Sequence, residues 1–197
     1  KIGGTWPRGS GNSVLYSSGL WIGVNNESGD YPRVSGRMYS SDFRPGSWDD
    51  PDPNSWENQT KLVNRLLNNT DWEHHHYNSY NQWPVDRGAP WNDANGDGSY
   101  NVSDGDRPHM PLDQSIFTIY NDQQTGGGFG GEPIGAEVRQ LLYGGVDGND
   151  QPGDANGSFE QVFYVDYEIV NKSDLTWYSP RFGIFMDPDI GPNYLND

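Results

Sequence analysis

The chain has 197 residues and a formal net charge of -16, from 12 Lys and Arg against 28 Asp and Glu. That balance excludes nucleic acid as a partner, because the phosphate contribution would be repulsive, and it favours cations. Hydrophobic residues make up only 32%, yet 14% of the chain is aromatic, so a thin aromatic core is expected in place of a disordered chain.

The 26 Gly and 14 Pro, with abundant Asn, Asp and Ser, are turn residues and predict many short strands joined by long ordered loops. The absence of cysteine removes disulfides and thiolate chemistry and leaves the redox compartment open. It is compatible with an extracellular protein stapled by calcium. No segment approaches the roughly 18 apolar residues of a membrane span. The chain opens on "KIGGTWPRGSG" and closes on the polar "MDPDIGPNYLND", so both ends read as cuts in a longer protein.

In chain order, alternation predicts strands over 13–24 and 33–43, arranged as a hairpin about a Gly-Asp-Tyr-Pro turn. The stretch "NQTKLVNRLLNN" (58–69) is the one helical candidate. Residues 44–113 form a long polar region whose apolar content is mostly tryptophan: Trp48, Trp56, Trp72, Trp83 and Trp91. Such a length without structure is unusual in a domain, so this region is expected to fold around tryptophans and ions. Within it, His74 and His76 of "WEHHHYN" would share a face in an extended segment and offer a transition-metal pair, with Glu73 a weak third ligand. The competing reading is a solvated or aromatic-stacked loop.

"WNDANGDGSYNVSDGD" carries the sharpest signal. A calcium loop takes ligands from positions 1, 3, 5, a carbonyl at 7, position 9 and a carboxylate at 12, with Gly at 6. With Asp93 as position 1, these positions fall on Asn95, Asp97, the Ser99 carbonyl, Asn101 and Asp104, and Gly98 occupies the turn. Asp replaces the usual Glu at the end, and Pro90 and Trp91 do not read as a helix, so this is a calcium loop on a β scaffold. The alternative is an Asx-turn cluster in which Asn and Asp cap their own backbone. Asp106 and Asp113 belong to this site or to none.

Strands follow at 114–122 and 136–145, flanking "QQTGGGFGGEP", which lacks the Lys and the strand-to-helix setting of a phosphate loop. "DGNDQPGDANGSFE" offers Asp147, Asn149, Asp150, Asp154, Asn156 and Glu160 as a second ion loop or a solvated turn. The clearest strand is 159–173, with Phe163, Val165, Tyr167 and Ile169 on one face; 180–187 follows. At its end, Asp187 and Asp189, with Asn193, Asn196 and Asp197 behind them, form an Asp-x-Asp hard-cation pattern. Glu132, Glu137, Glu160 and Asp166 are candidates for paired glycosidase carboxylates, with the solvent-facing strand residue as the plainer reading. No Gly-x-Ser-x-Gly occurs, and no nucleophile–base pair stands out. Six Asn-x-Ser/Thr sequons, at Asn26, Asn58, Asn68, Asn101, Asn156 and Asn171, lend weak support to a surface protein.

The series "SGLWIG", "DFRPG", "QWPVDRGAPWNDANGDGSYNVSDGDRP", "LDQSIFTIYND", "PIGAEVRQ", "YEIVNKS" and "FGIFMDPDIG" resembles a family of large secreted proteins of Bacteroidota-type and related bacteria, often ending in a type IX secretion sorting domain. The resemblance covers most of the chain. It is most specific from Trp83-Pro84 through Gly88-Ala89-Pro90 to the calcium loop, at Tyr120-Asn121-Asp122, and at Asp187-Pro188-Asp189-Ile190-Gly191. It implies export, a β-rich architecture, a larger parent chain and bound calcium, and no catalytic activity. The family pattern continues past Asp-x-Asp-Ile-Gly into further acidic residues, where this chain stops, and it does not contain the histidine triplet.

These readings converge on an all-β chain, a β-sandwich of Ig-like or jelly-roll-like type with long calcium-stabilised loops. Residues 1–197 are taken as a single β-rich domain of a longer secreted chain, with 44–113 as its Trp-rich, ion-binding loop region. The expected function is an extracellular, calcium-stabilised structural or adhesive protein, a subunit of a surface layer or filament, whose partners are its own copies or other surface proteins. The rival is a carbohydrate-binding module or glycoside-active domain that takes polysaccharide on its tryptophans. A third, weaker reading is a metal-dependent enzyme built on the histidines.

Overall fold

The structure, a computed structural model, describes residues 4–5, 11–26, 28–29, 32–50, 52, 54–55, 60–64, 75–124, 128–145 and 162–189. In chain order the elements begin with β1 (Gly4–Thr5), β2 (Ser13–Leu15), β3 (Ser17–Asn25), β4 (Arg33–Gly36), β5 (Arg44–Pro45) and β6 (Lys61–Asn64). A helix, α1 (His75–Asn81), and the short pair β7 (Trp91–Asn92) and β8 (Arg107–Pro108) come next. The long strands β9 (Gln114–Asn121), β10 (Ala136–Gly144), β11 (Phe163–Asn171) and β12 (Tyr178–Asp187) complete the order. The chain is all-β, of the sandwich-like class, with several antiparallel sheets, as the alternation predicts. Among the described residues no helix is long and apolar enough to cross a membrane.

Two compact units share the chain: Lys1–Arg44, Asn121–Ala136 and Asn171–Asp197 form the first, and Pro45–Tyr120 with Glu137–Val170 the second. The predicted ion-binding region 44–113 falls almost wholly in the second unit.

In the first unit β3 lies between β12 and β4. The predicted hairpin is present as β3 against β4, antiparallel from Trp21↔Gly36 to Val24↔Arg33. Leu20, Ile22 and Val24 alternate along β3 and are buried, which is the period of a strand with one inward face. Its other face carries a run of aromatic contacts: Trp21 stacks on Phe185 with centroids 5.7 Å apart and meets the edge of Phe129 at 5.2 Å. Gly36 is required there, because a Cβ would lie 2.7 Å from both Trp21 and Phe129.

Buried carboxylates brace the same unit. Asp122 accepts from the Ser35 hydroxyl at 2.6 Å and from the amides of Ile134 at 2.6 Å and Ala136 at 2.8 Å. Asp42 accepts from the amides of Gly36 at 3.0 Å and Phe129 at 3.1 Å. Each carboxylate satisfies amides of a loop and of an adjoining strand end, which is why it can be buried.

In the second unit the sheet runs β11-β10-β9-β5, and β6 also pairs with β9. Phe117 and Ile119 of β9, Leu141 of β10 and Val63 of β6 build the core with Tyr80, Trp83 and Ala89. The helix expected over 58–69 is corrected where the chain is described: Lys61–Asn64 is a strand, antiparallel to β9 from Lys61↔Phe117 to Asn64↔Gln114. Lys61 and Val63 are both buried at period two, and β9 supplies the hydrogen-bonded partner. The reverse correction applies to the histidines. The backbone is helical over His75–Asn81 and not extended; Glu73 and His74 of the suggested metal set lie outside the described residues.

The tryptophans divide between these roles. Trp83 is a core residue and Trp91 packs against the core, so aromatic rings replace missing aliphatics there. Trp48 is half-buried, and Trp56 and Trp72 lie outside the described residues.

Candidate metal-binding turn

The acidic stretch is closed at its neck by the β7–β8 ladder, with Trp91 opposite Pro108 and Asn92 opposite Arg107. His109 donates its amide to the Pro90 carbonyl at 2.9 Å, and the Trp83 indole donates to the same oxygen at 2.9 Å. Tyr100 anchors the far side of the loop: its ring meets Trp91 edge-on at 5.6 Å and its hydroxyl donates to the Tyr80 carbonyl at 2.6 Å. Burial pushes the Tyr100 phenol up, so it remains a neutral donor at any physiological pH. Tyr100, Val102 and Trp91 pack on the core, so a fully exposed turn stands on an apolar base.

Asp106 holds that turn shut. It is fully buried and accepts from the Ala94 amide at 2.9 Å and the Asn101 amide at 2.8 Å, tying the two limbs of the loop together. The sequence leaves Asp106 unassigned; the structure makes it the brace beneath the candidate site and not a member of it.

Above the brace, residues 92–99 are exposed. Asp93 accepts from the Gly96 amide at 2.6 Å and the Gly98 amide at 2.8 Å. The Asn95 side-chain oxygen accepts from the Asp97 amide at 3.0 Å, and Asp97 accepts from the Ser99 amide at 2.7 Å. Asn95 also donates its side-chain amide to the second Asp97 oxygen at 3.0 Å. Gly96 and Gly98 sit at φ of 79° and 76°, in the left-handed region where a side chain is strained. Alternate Asx oxygens thus each take an amide further along, and the backbone curls around them. The Gly98 amide is the largest cause holding the Asp93 carboxyl below its ordinary 3.8, so Asp93 is ionised at neutral pH.

Asp104 is placed differently. It ends a 3-10 turn, Val102–Asp104, capped by Asn101, whose side-chain oxygen accepts from the Ser103 amide. The Asn101 side-chain amide donates to Asp104 at 2.6 Å. Among the described residues no three His, Asp or Glu side chains gather as a metal group. The turn therefore wraps the Gly96 and Gly98 amides around Asp93, brings the Asn95 and Asp97 side chains into contact, holds Ser99 at its exit and pairs Asp104 with Asn101.

Asp187 and Asp189 belong to the first unit. Asp187 accepts from the Tyr39 hydroxyl at 3.0 Å, a bond that raises the Tyr39 phenol above its usual range. Asp189 donates its amide to the Val14 carbonyl at 3.1 Å. The acidic run Asp147–Glu160 and residues 193–197 lie outside the described residues. Of the candidate hydrolase carboxylates, Glu137 is buried, accepts from the Trp48 amide at 2.8 Å and pairs with Arg139 at 3.1 Å, which is a structural role. Glu132 and Asp166 are exposed. No family model, curated protein or solved structure matches this chain.

Proposed function

We propose that the chain is an extracellular structural or adhesive module stabilised by calcium at Asp93, Asn95, Asp97 and the Ser99 carbonyl. The observation that carries this reading is the hydrogen-bonded turn itself: alternate exposed oxygen side chains, one an ionised carboxylate of lowered pKa, curled around Gly98 in the left-handed conformation. Calcium takes six to eight oxygen ligands, so water and Asp104 would complete such a set. Bound there, the ion would supply structural charge neutralisation: it would replace the Asn95–Asp97 side-chain bond and relieve carboxylate repulsion in a chain of net charge -16. No nucleophile or general base is gathered at the turn, and no helix pair flanks it to open, so a staple is favoured over catalysis or signalling.

The test is a pair of thermal melts, with calcium and with a chelator. The melting temperature falls on chelation, and in Asp97→Ala the melts with calcium and with chelator coincide. Superimposable melts with and without calcium would sink the proposal.

One observation favours polysaccharide binding as a second reading. A cleft of about 480 Å³ in the first unit is lined by Trp177, Tyr178, Arg33, Asp174, Asn25 and Asn26. Its volume suits a small ligand, and the Trp177 indole is fixed by donation to the Ile134 carbonyl at 2.9 Å. Aromatic rings beside planar polar groups match the two faces of a sugar. Saturable glycan-array binding that Trp177→Ala abolishes is the expected result; no binding to any glycan removes this reading.

A further inference from the structure

Strand β12 has two unlike faces. Phe185 looks onto the aromatic run with Trp21, whereas Phe182, Ile184 and Met186 on the opposite face are 56%, 53% and 60% exposed. Register explains why this is unusual. Phe182 lies opposite Ile22 and Ile184 opposite Leu20, so the face of β3 that is buried continues onto β12 and is left bare there. Among the described residues β12 is also an edge strand, next to β3 alone. Long apolar edges are normally blunted by lysines, bulges or inward charges, because their free amides and carbonyls template another strand. From Arg181 to Asp187 this edge pairs with β3 without a bulge; the one register shift comes earlier, between Tyr178 and Arg181.

We infer that β12 is a homotypic interface: two copies of the chain pair their β12 strands antiparallel, with Ile184 on the two-fold axis. This goes beyond the calcium reading and does not depend on the ion. Charge complementarity selects both the partner and the register. With Ile184 opposite its own copy, Arg181 faces Asp187 of the second copy, twice by symmetry. Phe182 faces Met186, an aromatic–thioether pair. Gly183, where an added Cβ would meet nothing within 4 Å, faces Phe185. A shift of the axis to Gly183 leaves Arg181 opposite Phe185 and loses both ion pairs, and a shift to Phe185 puts Asp187 opposite Gly183 and Arg181 opposite Asp189, which lies past Pro188 and outside β12. Pro180 and Pro188 bound the run and stop the ladder from extending. The edge carries one positive and one negative charge, so the chain's large net charge is not concentrated where the copies meet.

The chain has no cysteine, which gives a direct test in the intact protein. Directly opposed residues in an antiparallel pair have Cα atoms about 4.5–5.5 Å apart, within the disulfide range of about 4.4–6.8 Å. Ile184→Cys should therefore cross-link to its own copy under mild oxidation, Arg181→Cys alone should not, and a mixture of Arg181→Cys with Asp187→Cys should give the mixed dimer. Sedimentation supplies an independent readout. Arg181→Glu and Asp187→Arg should each weaken dimerisation about tenfold, since both symmetric pairs become like-charged. Mixed together they should restore it, because each then faces an opposite charge at both positions. Near-UV circular dichroism checks that the variants fold, and Arg181→Glu leaves the Tyr39–Asp187 bond in place. A protein that stays monomeric at high micromolar concentration overturns the inference. So does a dimer in which Ile184→Cys fails to cross-link or the mixed charge variants fail to rescue.

Discussion

Asp122 in the first unit and Asp93 in the second use the same chemistry in opposite surroundings. Both are carboxylates that accept backbone amides from further along the chain, Ile134 and Ala136 in one case and Gly96 and Gly98 in the other. Asp122 is 1% exposed and its remaining partner is the Ser35 hydroxyl, so protein groups meet its whole demand. Asp93 stands in an exposed turn with Asn95 and Asp97 beside it. Burial, and not the number of amide bonds, separates a carboxylate that is internal glue from one that can also face an ion. Asp106 sits between the two: it is a buried brace lying directly under the exposed turn.

The largest effect expected from breaking this contrast is at Asp122. Asp122→Ala strands two buried amides and the Ser35 hydroxyl and should destabilise by about 4 kcal/mol in urea unfolding, equally with and without calcium. Calcium removal comes next. At free ion 100-fold above its dissociation constant, chelation should lower stability by about 2.7 kcal/mol, and Asp93→Ala should abolish that difference. Asp106→Ala should cost about 2 kcal/mol in chelator and weaken calcium binding as well, since the limbs of the loop separate; calorimetric titration reads the second part. Gly98→Ala should cost about 1 kcal/mol through its left-handed φ alone.

The smallest effect is in acid. Asp93 has a folded pKa below its unfolded 3.8, so the stability it contributes is complete above that value and is lost as pH falls through the folded one. The Asp93 carboxyl resonance should titrate below 3.8 without calcium and lower still with it.

What the sequence made legible follows the range of the interactions. The strands of β3 and β9 are readable because Leu20, Ile22, Phe117 and Ile119 alternate over one buried face. The turn at 93–99 is readable because every partner lies within five residues. Asp122 is not, since its partners Ser35, Ile134 and Ala136 come from distant segments and no spacing announces them. The 61–64 strand was hidden for the same reason: Leu and Val among Asn and Lys fit either period until β9 supplies a ladder. Strand 180–187 is a subtler case. Its alternation is real, but whether Phe182, Ile184 and Met186 meet a neighbour or solvent depends on what lies beside the strand, which the pattern does not contain.

The pairing of β12 with β3, from Ser17↔Asp187 to Phe182↔Ile22, joins the two ends of the described chain. During synthesis β3 is made before all the elements from β4 to β11, and the edge that β12 will occupy waits for each of them. The second unit is drawn from residues between them. Loop closure over that span makes the β3–β12 ladder a late step in folding. Until it forms, β3 keeps a row of unpaired amides and carbonyls on the edge away from β4.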